Sequence, residues 1–229
     1  MKEAIILAGG RGTRLSSITR GGQKVVVKIG EQTFIEYLLK RLQRGGFNRI
    51  YIAVGYRSEE VEKVIARLEL DIDFKIIHEN KPLGTGGAIK NAMQQVNSEE
   101  ILVLNGDSYN DFDYGILLSN HQKSKADISV LTKRVENVAR YGEVRVSQNG
   151  RVLEFLEKTG IKKSGIINLG VYGIKTTIFE NFKSKRFSME QFLTDHVGSF
   201  NIFSIPSTGE FIDIGTPDDY QKFKQKFTD

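Results

Sequence analysis

The residues best suited to chemistry begin where the first apolar run ends, in a glycine-rich loop that also holds two arginines. Three glycines fall within four positions, at Gly9, Gly10 and Gly12, and the arginines are Arg11 and Arg14. Glycine allows a sharp turn and a close approach of the backbone to a ligand, because it has no Cβ atom. Successive backbone N–H groups in such a turn bind anions, and arginine adds charge beside them. The loop therefore predicts a binding site for a triphosphate.

The spacing of these glycines excludes two well-known phosphate-binding motifs. The pattern G-x-x-x-x-G-K-[ST] is absent, and G-x-G-x-x-G fails because Leu15 stands where the third glycine is needed. A dinucleotide-dependent reductase is therefore excluded. A turn whose glycines serve only the backbone is the alternative interpretation of the loop.

Two further regions carry residues suited to a nucleotide and a metal ion. Residues 82–88 read Pro-Leu-Gly-Thr-Gly-Gly-Ala, and their glycines would let backbone groups contact the edge of a flat base. Asp107 ends an apolar run, where a carboxylate is a natural ligand for Mg²⁺, and Asp213 is the candidate for a second carboxylate. The alternatives are a tightly packed turn at 82–88 and a capping or turn role for Asp107.

The C-terminal half contributes a third set of candidates. Glu157 and Lys158 follow a predicted strand, and Asn168 is a polar residue within an otherwise apolar strand. A lysine and a polar side chain in these positions suit a phosphorylated sugar, while an ordinary surface charge is the alternative for Lys158. The three histidines lack metal-ligand spacing and are interpreted as core or surface residues: His78, His121 and His196.

The elements that must position these loops follow from the hydrophobic periodicity. In the first half, apolar runs alternate with amphipathic segments. This pattern predicts strands at 4–7, 50–54, 74–77 and 101–104, helices at 33–44 and 84–95, and a further helix for which Ser58 is the N-cap. This βαβαβαβ order predicts a parallel sheet covered by helices on both faces. Ligands of such sheets bind outside the carboxyl ends of the strands, where the loops 9–14, 82–88 and 105–107 all fall.

The second half predicts a mixed sheet. Asn149-Gly150 marks a tight hairpin between strands at 144–146 and 152–155. The other predicted elements are strands at 127–132, 166–174, 201–205 and 211–213 and helices at 115–124, 178–182, 189–195 and 217–227. We find no linker or repeat, so we expect a single domain over residues 1–229. It would comprise a nucleotide-binding half, 1–110, and a sugar-phosphate-binding half, 111–229.

Composition narrows the class of protein. The chain has 229 residues, 39% of them hydrophobic, which is enough for a sizeable core, and no apolar run approaches the ~20 residues of a membrane span. It has no cysteine, and its N-terminus does not resemble a secretion signal, so we expect a cytoplasmic enzyme without disulfides. The net charge is +5, but the basic residues are scattered and no nucleic-acid-binding motif occurs. Neither nucleic acid nor a membrane is an expected partner.

Taken together, the motifs resemble the signature of the sugar-1-phosphate nucleotidyltransferases. The matching stretches occur in family order across nearly the whole chain: residues 7–15 with Lys24, then 82–88, 104–107 and 213–217. Within this family, residues 140–142, 157–158 and 167–172 are most similar to the D-glycero-D-manno-heptose 1-phosphate guanylyltransferases of capsule and surface-layer assembly. The resemblance implies an α/β fold, a Rossmann-like three-layer sandwich with a mostly parallel central sheet of the nucleotide-diphospho-sugar transferase type.

The resemblance also implies an activity and a set of site residues. The activity is transfer of a nucleoside monophosphate from a nucleoside triphosphate, GTP in the most similar group, to a sugar 1-phosphate, with release of pyrophosphate. The implied catalytic residues are Arg14, Lys24 and Asp107, and the implied Mg²⁺ ligands are Asp107 and Asp213. The nucleotide would contact Leu7, Ala8, Gly9, Gly10, Arg11, Gly12, Thr13, Glu79, Pro82, Gly84, Thr85, Gly87, Asn105 and Gly106. The sugar phosphate would contact Tyr141, Gly142, Glu157, Lys158 and Asn168.

At one place the sequence departs from the family pattern. The usual Pro-Lys-Pro segment is here Gln23-Lys24-Val25, so the lysine is kept but the fixed φ of proline is lost. We therefore expect the loop of residues 16–23 to be more mobile before substrate binds.

Three alternatives concern activity and assembly. The first is a nucleotidyltransferase that uses UTP, CTP or dTTP. The second is a non-catalytic regulatory subunit that binds NDP-sugars, which the joint presence of Arg14, Lys24, Asp107 and Asp213 disfavours. A homo-oligomer that pairs through an exposed C-terminal half is also compatible with the sequence.

Overall fold

A computed structural model describes residues 1–10, 12–158 and 160–228. In this part of the chain the thirteen strands are β1 (Lys2–Ala8), β2 (Lys28–Ile29), β3 (Gln32–Thr33), β4 (Phe47–Val54), β5 (Asp73–His78), β6 (Glu100–Asn105), β7 (Ser108–Asn110), β8 (Ile128–Val135), β9 (Glu143–Val146), β10 (Val152–Leu156), β11 (Gly165–Lys175), β12 (Ile202–Pro206) and β13 (Phe211–Asp213). The seven α-helices are α1 (Ser16–Thr19), α2 (Phe34–Arg44), α3 (Ser58–Ile65), α4 (Gly84–Met93), α5 (Tyr114–Ser124), α6 (Met189–His196) and α7 (Pro217–Thr228). Short 3-10 helices lie at Thr13–Leu15, Lys24–Val26 and Thr176–Phe179.

Nine strands form the central sheet, and all of them except β10 and β11 run in the same direction. The main order is β5-β4-β1-β6-β11-β8-β12, with the β9–β10 hairpin beside the first half of β11. Strands β5, β4, β1 and β6 run parallel to one another, and β12 runs parallel to β8. Strand β11 is antiparallel to both of its long neighbours, β6 and β8. The predicted mostly parallel sheet is confirmed, and the predicted hairpin at Asn149-Gly150 joins β9 to β10.

The sheet lies between two helical layers. Because successive side chains of a strand point to opposite faces, β1 contributes to both sides of the core. Ala4, Ile6 and Ala8 belong to a cluster with apolar residues of α2, α5 and α7. Ile5 belongs to a second cluster with residues of α4 and α6. The predicted three-layer sandwich is therefore confirmed.

The helices match the hydrophobic periodicity, with differences at their ends. Helix α2 begins after Thr33, whose backbone N–H donates to the Glu36 carboxylate at 2.7 Å. Ser58 was expected to cap α3, but the cap residue is Arg57 in the left-handed region, at φ 51°, and Ser58 is the first helical residue. The short helix expected at 178–182 is a 3-10 helix at Thr176–Phe179, in which Ile178 and Phe179 are buried. None of the helices in the described residues combines the length and apolarity needed to cross a membrane.

His121 makes the stability of this fold depend on pH. It is fully buried on α5, where its Nδ1 lies 2.8 Å from Ser129 Oγ, and burial, aided by the charge of Lys175, lowers its pKa to about 4. An unfolded histidine titrates near pH 6.5. The neutral ring therefore stabilises the fold above pH 6.5, and that stabilisation is lost as the pH falls from 6.5 towards 4.

We expect the free energy of unfolding of the wild type to fall by up to about 3 kcal/mol more than that of His121→Asn between pH 6.5 and 4. Urea unfolding followed by circular dichroism over this range measures the difference. The substitution His78→Asn, at an exposed position, serves as the matched control. Equal pH slopes for wild type and His121→Asn would contradict the assignment.

Candidate active site

A cleft of about 1000 Å³ opens at the carboxyl ends of β1, β4, β5 and β6. It brings together residues from all three predicted sets, although they are distant in sequence. The predicted residues that line it are Leu7, Ala8, Gly9, Gly10, Gly12, Arg14, Lys24, Glu79, Pro82, Gly84, Thr85, Asn105, Asp107, Tyr141, Gly142, Glu157, Lys158, Asn168 and Asp213. The N-terminal and C-terminal halves thus face each other across a single cleft.

Four predicted nucleotide-binding residues are not among the cleft-lining residues. Arg11 lies outside the described residues. Thr13 is exposed at the start of a 3-10 helix. Gly106 donates its N–H to the Leu7 carbonyl at 2.9 Å, so it joins the ends of β1 and β6. Gly87 is buried and packs against the segment 183–188.

The first glycine-rich loop combines positions that the fold requires with one that it does not. Gly12 has φ +58°, and a Cβ atom there would stand 2.9 Å from Lys24 Cβ, so the fold itself needs glycine. At Gly10 a Cβ atom would meet nothing within 4 Å. Glycine at this position is therefore not explained by packing, and the open space beside it faces the cleft.

Lys24 and Asp107 form an ion pair inside the cleft. Lys24 is buried at the start of its 3-10 helix, and its Nζ donates to Asp107 Oδ2. Ser108 Oγ donates to the other carboxylate oxygen of Asp107 at 3.3 Å. A buried lysine beside a carboxylate is held in one position, because leaving either charge unpaired in a closed site is costly.

The second carboxylate, Asp213, is brought beside Asp107 by a two-stranded sheet. Strand β13 pairs antiparallel with β7, which sets Asp213 opposite Ser108. The backbone N–H of Ile214 donates to the carbonyl of Asp107 at 3.0 Å. Burial and the charge of Asp107 raise the pKa of Asp213, while Lys24, the Gly215 N–H and Arg14 act in the opposite direction. Two like charges therefore share one small region of the cleft.

This pair of carboxylates fits a single Mg²⁺ ion. Magnesium prefers hard oxygen ligands and is often bound by one or two carboxylates together with substrate phosphates and water. A cation bound by Asp107 and Asp213 would relieve the repulsion that, together with burial, raises the pKa of Asp213. Among the described residues, no group of three or more histidine, aspartate or glutamate side chains could hold a metal by itself. Phosphate oxygens would have to complete the coordination.

The second glycine-rich segment binds another part of the protein. The N–H groups of Gly86 and Gly87 donate to the carbonyl of Phe187, at 3.1 and 3.2 Å. Thr85 Oγ1 accepts the Met189 N–H at 2.7 Å and donates to Glu190 Oε2 at 3.0 Å. The packed-turn alternative therefore describes Gly86 and Gly87, whereas Gly84 and Thr85 still line the cleft.

Glu79 closes the cleft beside the first glycine-rich loop. Burial raises the pKa of its carboxyl group, although a hydrogen bond from the Leu83 N–H, 3.0 Å long, partly offsets this effect. A Cβ atom on Gly9 would stand 2.7 Å from Glu79 Oε1, so the two elements are in close contact. One carboxylate oxygen is thus engaged by the backbone, and the residue lines the cleft.

Residues from the C-terminal half form the opposite wall. Glu157 and Lys158 are exposed just after β10, and Asn168 donates from Nδ2 to Tyr172 Oη at 2.7 Å. Helix α6 adds cleft-lining residues that the sequence analysis missed, namely Glu190, Gln191 and Thr194. These three residues lie on one face of α6. The sequence predicts a helix there, but it does not indicate which face of that helix meets the cleft.

The loop that precedes Lys24 is held by hydrogen bonds. The side-chain amide of Gln23 donates to two backbone carbonyls, and its own N–H donates to Glu60. These contacts hold the last residue of the loop, and the greater mobility expected for residues 16–23 before substrate binds stays a prediction.

Comparison with known proteins agrees with this geometry. A family model described as nucleotidyl transferase matches residues 3–229. The chain belongs to the nucleotidyl transferase family. This nucleotidyl transferase is 37% identical over 222 residues to a D-glycero-alpha-D-manno-heptose 1-phosphate guanylyltransferase of Campylobacter jejuni, covering 96% of the chain and 98% of the relative. It is 35% identical to the enzyme of the same name from Aneurinibacillus thermoaerophilus, covering 98% and 97%.

The same nucleotidyl transferase fold occurs in a related crystal structure. HddC from Yersinia pseudotuberculosis superposes with a TM-score of 0.88 and 33% identity, covering 99% of this chain and 100% of that one. HddC has also been crystallised in complex with GMP-PN, and that structure superposes with a TM-score of 0.87.

The contacts of Thr85 in this nucleotidyl transferase predict a stability effect. Thr85→Val would leave the Met189 N–H and the Glu190 carboxylate without this partner. We expect a loss of about 1–3 kcal/mol in the free energy of unfolding, measured by urea denaturation. Thr85→Ser keeps the hydroxyl and is expected to stay within about 0.5 kcal/mol of the wild type. Equal losses for both variants would contradict the role of the hydroxyl.

Proposed function

We propose that this protein transfers GMP from GTP to D-glycero-alpha-D-manno-heptose 1-phosphate, forming GDP-heptose and pyrophosphate. The observation that carries the proposal is the single cleft that joins the phosphate-binding loop, the Lys24–Asp107–Asp213 group and the Glu157–Lys158 wall. The names of the two similar enzymes and the GMP-PN complex of HddC support guanine and heptose. Following the resemblance, the product would supply capsule or surface polysaccharide synthesis from the cytoplasm.

The division of the cleft suggests how the two substrates lie. The nucleotide would contact the half formed by residues 1–110, and the sugar phosphate would contact the half formed by 111–229. Lys158, exposed just after β10, would anchor the phosphate of the sugar. A homo-oligomer is not needed to complete this cleft, because both walls come from the same chain.

The reaction needs positioned charge more than it needs a base. A phosphate oxygen of the sugar 1-phosphate attacks the α-phosphorus of GTP, and the bond to the β-phosphate oxygen breaks as pyrophosphate leaves. Since the attacking oxygen is already anionic, no proton has to be removed. Lys24 would reduce the repulsion between the two anionic substrates. Arg14 and the N–H groups of the loop at 9–12 would bind the leaving pyrophosphate.

Asp107 and Asp213 would hold the Mg²⁺ ion. When bound, that ion supplies charge neutralisation at the α-phosphate. Lys24 Nζ donates to Asp107. This contact supports a position of the ammonium group beside phosphates that the ion would bind.

Glu79 would select guanine. Guanine presents N–H donors at N1 and N2, which a carboxylate can accept in a paired arrangement, whereas adenine presents an acceptor at N1. The backbone N–H of Leu83 orients the carboxylate of Glu79. Because burial disfavours an unpaired charge on Glu79, a base that donates hydrogen bonds to this carboxylate, such as guanine, would be a better partner than adenine.

The isosteric change Glu79→Gln tests base selection. It places an amide donor opposite the guanine donors, so we expect the ratio of kcat/KM for GTP over ATP to fall about 10- to 100-fold. Pyrophosphate release with each triphosphate measures the ratio. Glu62→Gln, at a position outside the cleft where the carboxylate lies 3.7 Å from His78 Nε2, is the control and is expected to keep the wild-type ratio. An unchanged ratio in Glu79→Gln would remove this residue from base recognition.

The carboxylates are tested by Asp107→Asn and Asp213→Asn. Each variant is expected to fold normally and to lose about 100-fold or more in pyrophosphate release, because a charged contact in a closed site is lost. EDTA is expected to abolish the wild-type activity, and added Mg²⁺ to restore it. Asp218→Asn, at an exposed position in the first turn of α7, is the matched control. Near-native activity of either cleft variant would overturn the metal assignment.

Substrate identity is tested with a panel of GTP, ATP, CTP, UTP and dTTP against several sugar 1-phosphates. Turnover is expected with GTP and the heptose 1-phosphate. Preferred use of another pair would identify a different sugar-1-phosphate nucleotidyltransferase. NDP-sugar binding without any turnover would identify the non-catalytic alternative.

A further inference from the structure

Gln23 is a buried residue at the junction of three elements, and it is one of the residues that line the cleft. It is 2% exposed and lies immediately before the 3-10 helix that begins with Lys24. Its Nε2 donates to the carbonyl of Ala8 at 2.8 Å and to the carbonyl of Tyr56 at 2.7 Å. The first carbonyl ends β1 and the second follows β4, so one amide connects the loops after two central strands.

The backbone of Gln23 makes a contact that proline could not make. Its N–H donates to Glu60 Oε2 at 2.6 Å, and Arg57 holds the other oxygen of that carboxylate at 2.8 Å. Although burial raises the pKa of Glu60, these two hydrogen bonds lower it overall, so the acceptor stays ionised. Proline has no backbone N–H, and its ring would leave Glu60 without this donor. The contacts at position 23 therefore use both the side-chain amide and the backbone N–H of glutamine.

These contacts fix the residue that precedes the catalytic lysine candidate. Gln23 joins the ends of β1 and β4 to α3, and the next residue directs its ammonium group to Asp107. We propose that Gln23 is a positioning residue that holds Lys24 at the phosphates, in place of the rigid proline of the family pattern. The proposal rests on the proposed function, because it assigns Gln23 an effect on the rate of that reaction. Gln23 acts through Lys24, and no direct contact of its side chain with the substrates is needed.

The test compares Gln23→Ala and Gln23→Pro with Gln32→Ala. Gln32 is a partly buried, hydrogen-bonded glutamine outside the cleft and serves as the control. We expect both Gln23 variants to lower kcat for pyrophosphate release about tenfold or more, because small displacements of a positioned group are costly for rate. The KM for the sugar 1-phosphate is expected to change less than twofold. Gln23→Pro is expected not to restore activity, since it removes the donor to Glu60.

A double variant separates positioning from general destabilisation. In a Lys24→Ala background, adding Gln23→Ala is expected to cause no more than about a twofold further loss of kcat, because residues that act as a unit are not additive. A purely structural role would give the same fold loss in both backgrounds. That result, or wild-type kcat in Gln23→Ala, would overturn the proposal.

Hydrogen exchange distinguishes failure of this proposal from failure of the proposed function. Gln23→Ala is expected to accelerate amide exchange in the peptide that covers residues 20–27, and Gln32→Ala is expected to leave it unchanged. If the wild type releases no pyrophosphate with any substrate pair, the proposed function fails and the rate role assigned to Gln23 falls with it. If the wild type is active and exchange is the same in Gln23→Ala, the positioning role alone is wrong.

Discussion

The repulsion between two carboxylates in one confined cleft is the constraint on which this structure depends. Asp107, between β6 and β7, and Asp213, at the end of β13, are more than a hundred residues apart in sequence, and burial together with the charge of Asp107 raises the pKa of Asp213. The β7–β13 pairing and the hydrogen bond from Ile214 to the Asp107 carbonyl keep them together. Lys24 supplies the compensating charge. The chain thus maintains a charge arrangement that would be unfavourable in isolation but is suited to a cation and phosphates.

The glycines of the two glycine-rich segments have different roles, since one segment opens on the cleft and the other packs against the protein. In the first, Gly10 has free space around it and opens on the cleft, so a ligand is the better reason for its lack of a side chain. In the second, Gly86 and Gly87 donate to the Phe187 carbonyl and allow helix α4 to approach the segment before α6. That contact also places the first turn of α6 at the opposite wall of the cleft. Similar composition therefore serves ligand access in one segment and packing in the other.

The segment before Lys24 shows that a loop position can be fixed in more than one way. A proline would restrict φ covalently, whereas Gln23 uses donors on its side chain and backbone to join three elements. The sequence shows that proline is absent before Lys24, and on that basis it predicts a more mobile loop. It does not show which groups accept hydrogen bonds from Gln23, because Ala8, Tyr56 and Glu60 approach Gln23 only in the folded chain.

The amino-acid sequence by itself determined the parallel half of the sheet, the hairpin at Asn149-Gly150 and half of the cleft-lining residues. These depend on local periodicity, turn chemistry and motifs at strand ends, which are visible in short windows. Only the tertiary structure decided that β11 runs antiparallel between β6 and β8, that β13 pairs with β7, and that α6 lines the cleft. Each of these results from pairing between segments far apart in the chain, where register and packing, rather than local preference, select the neighbour.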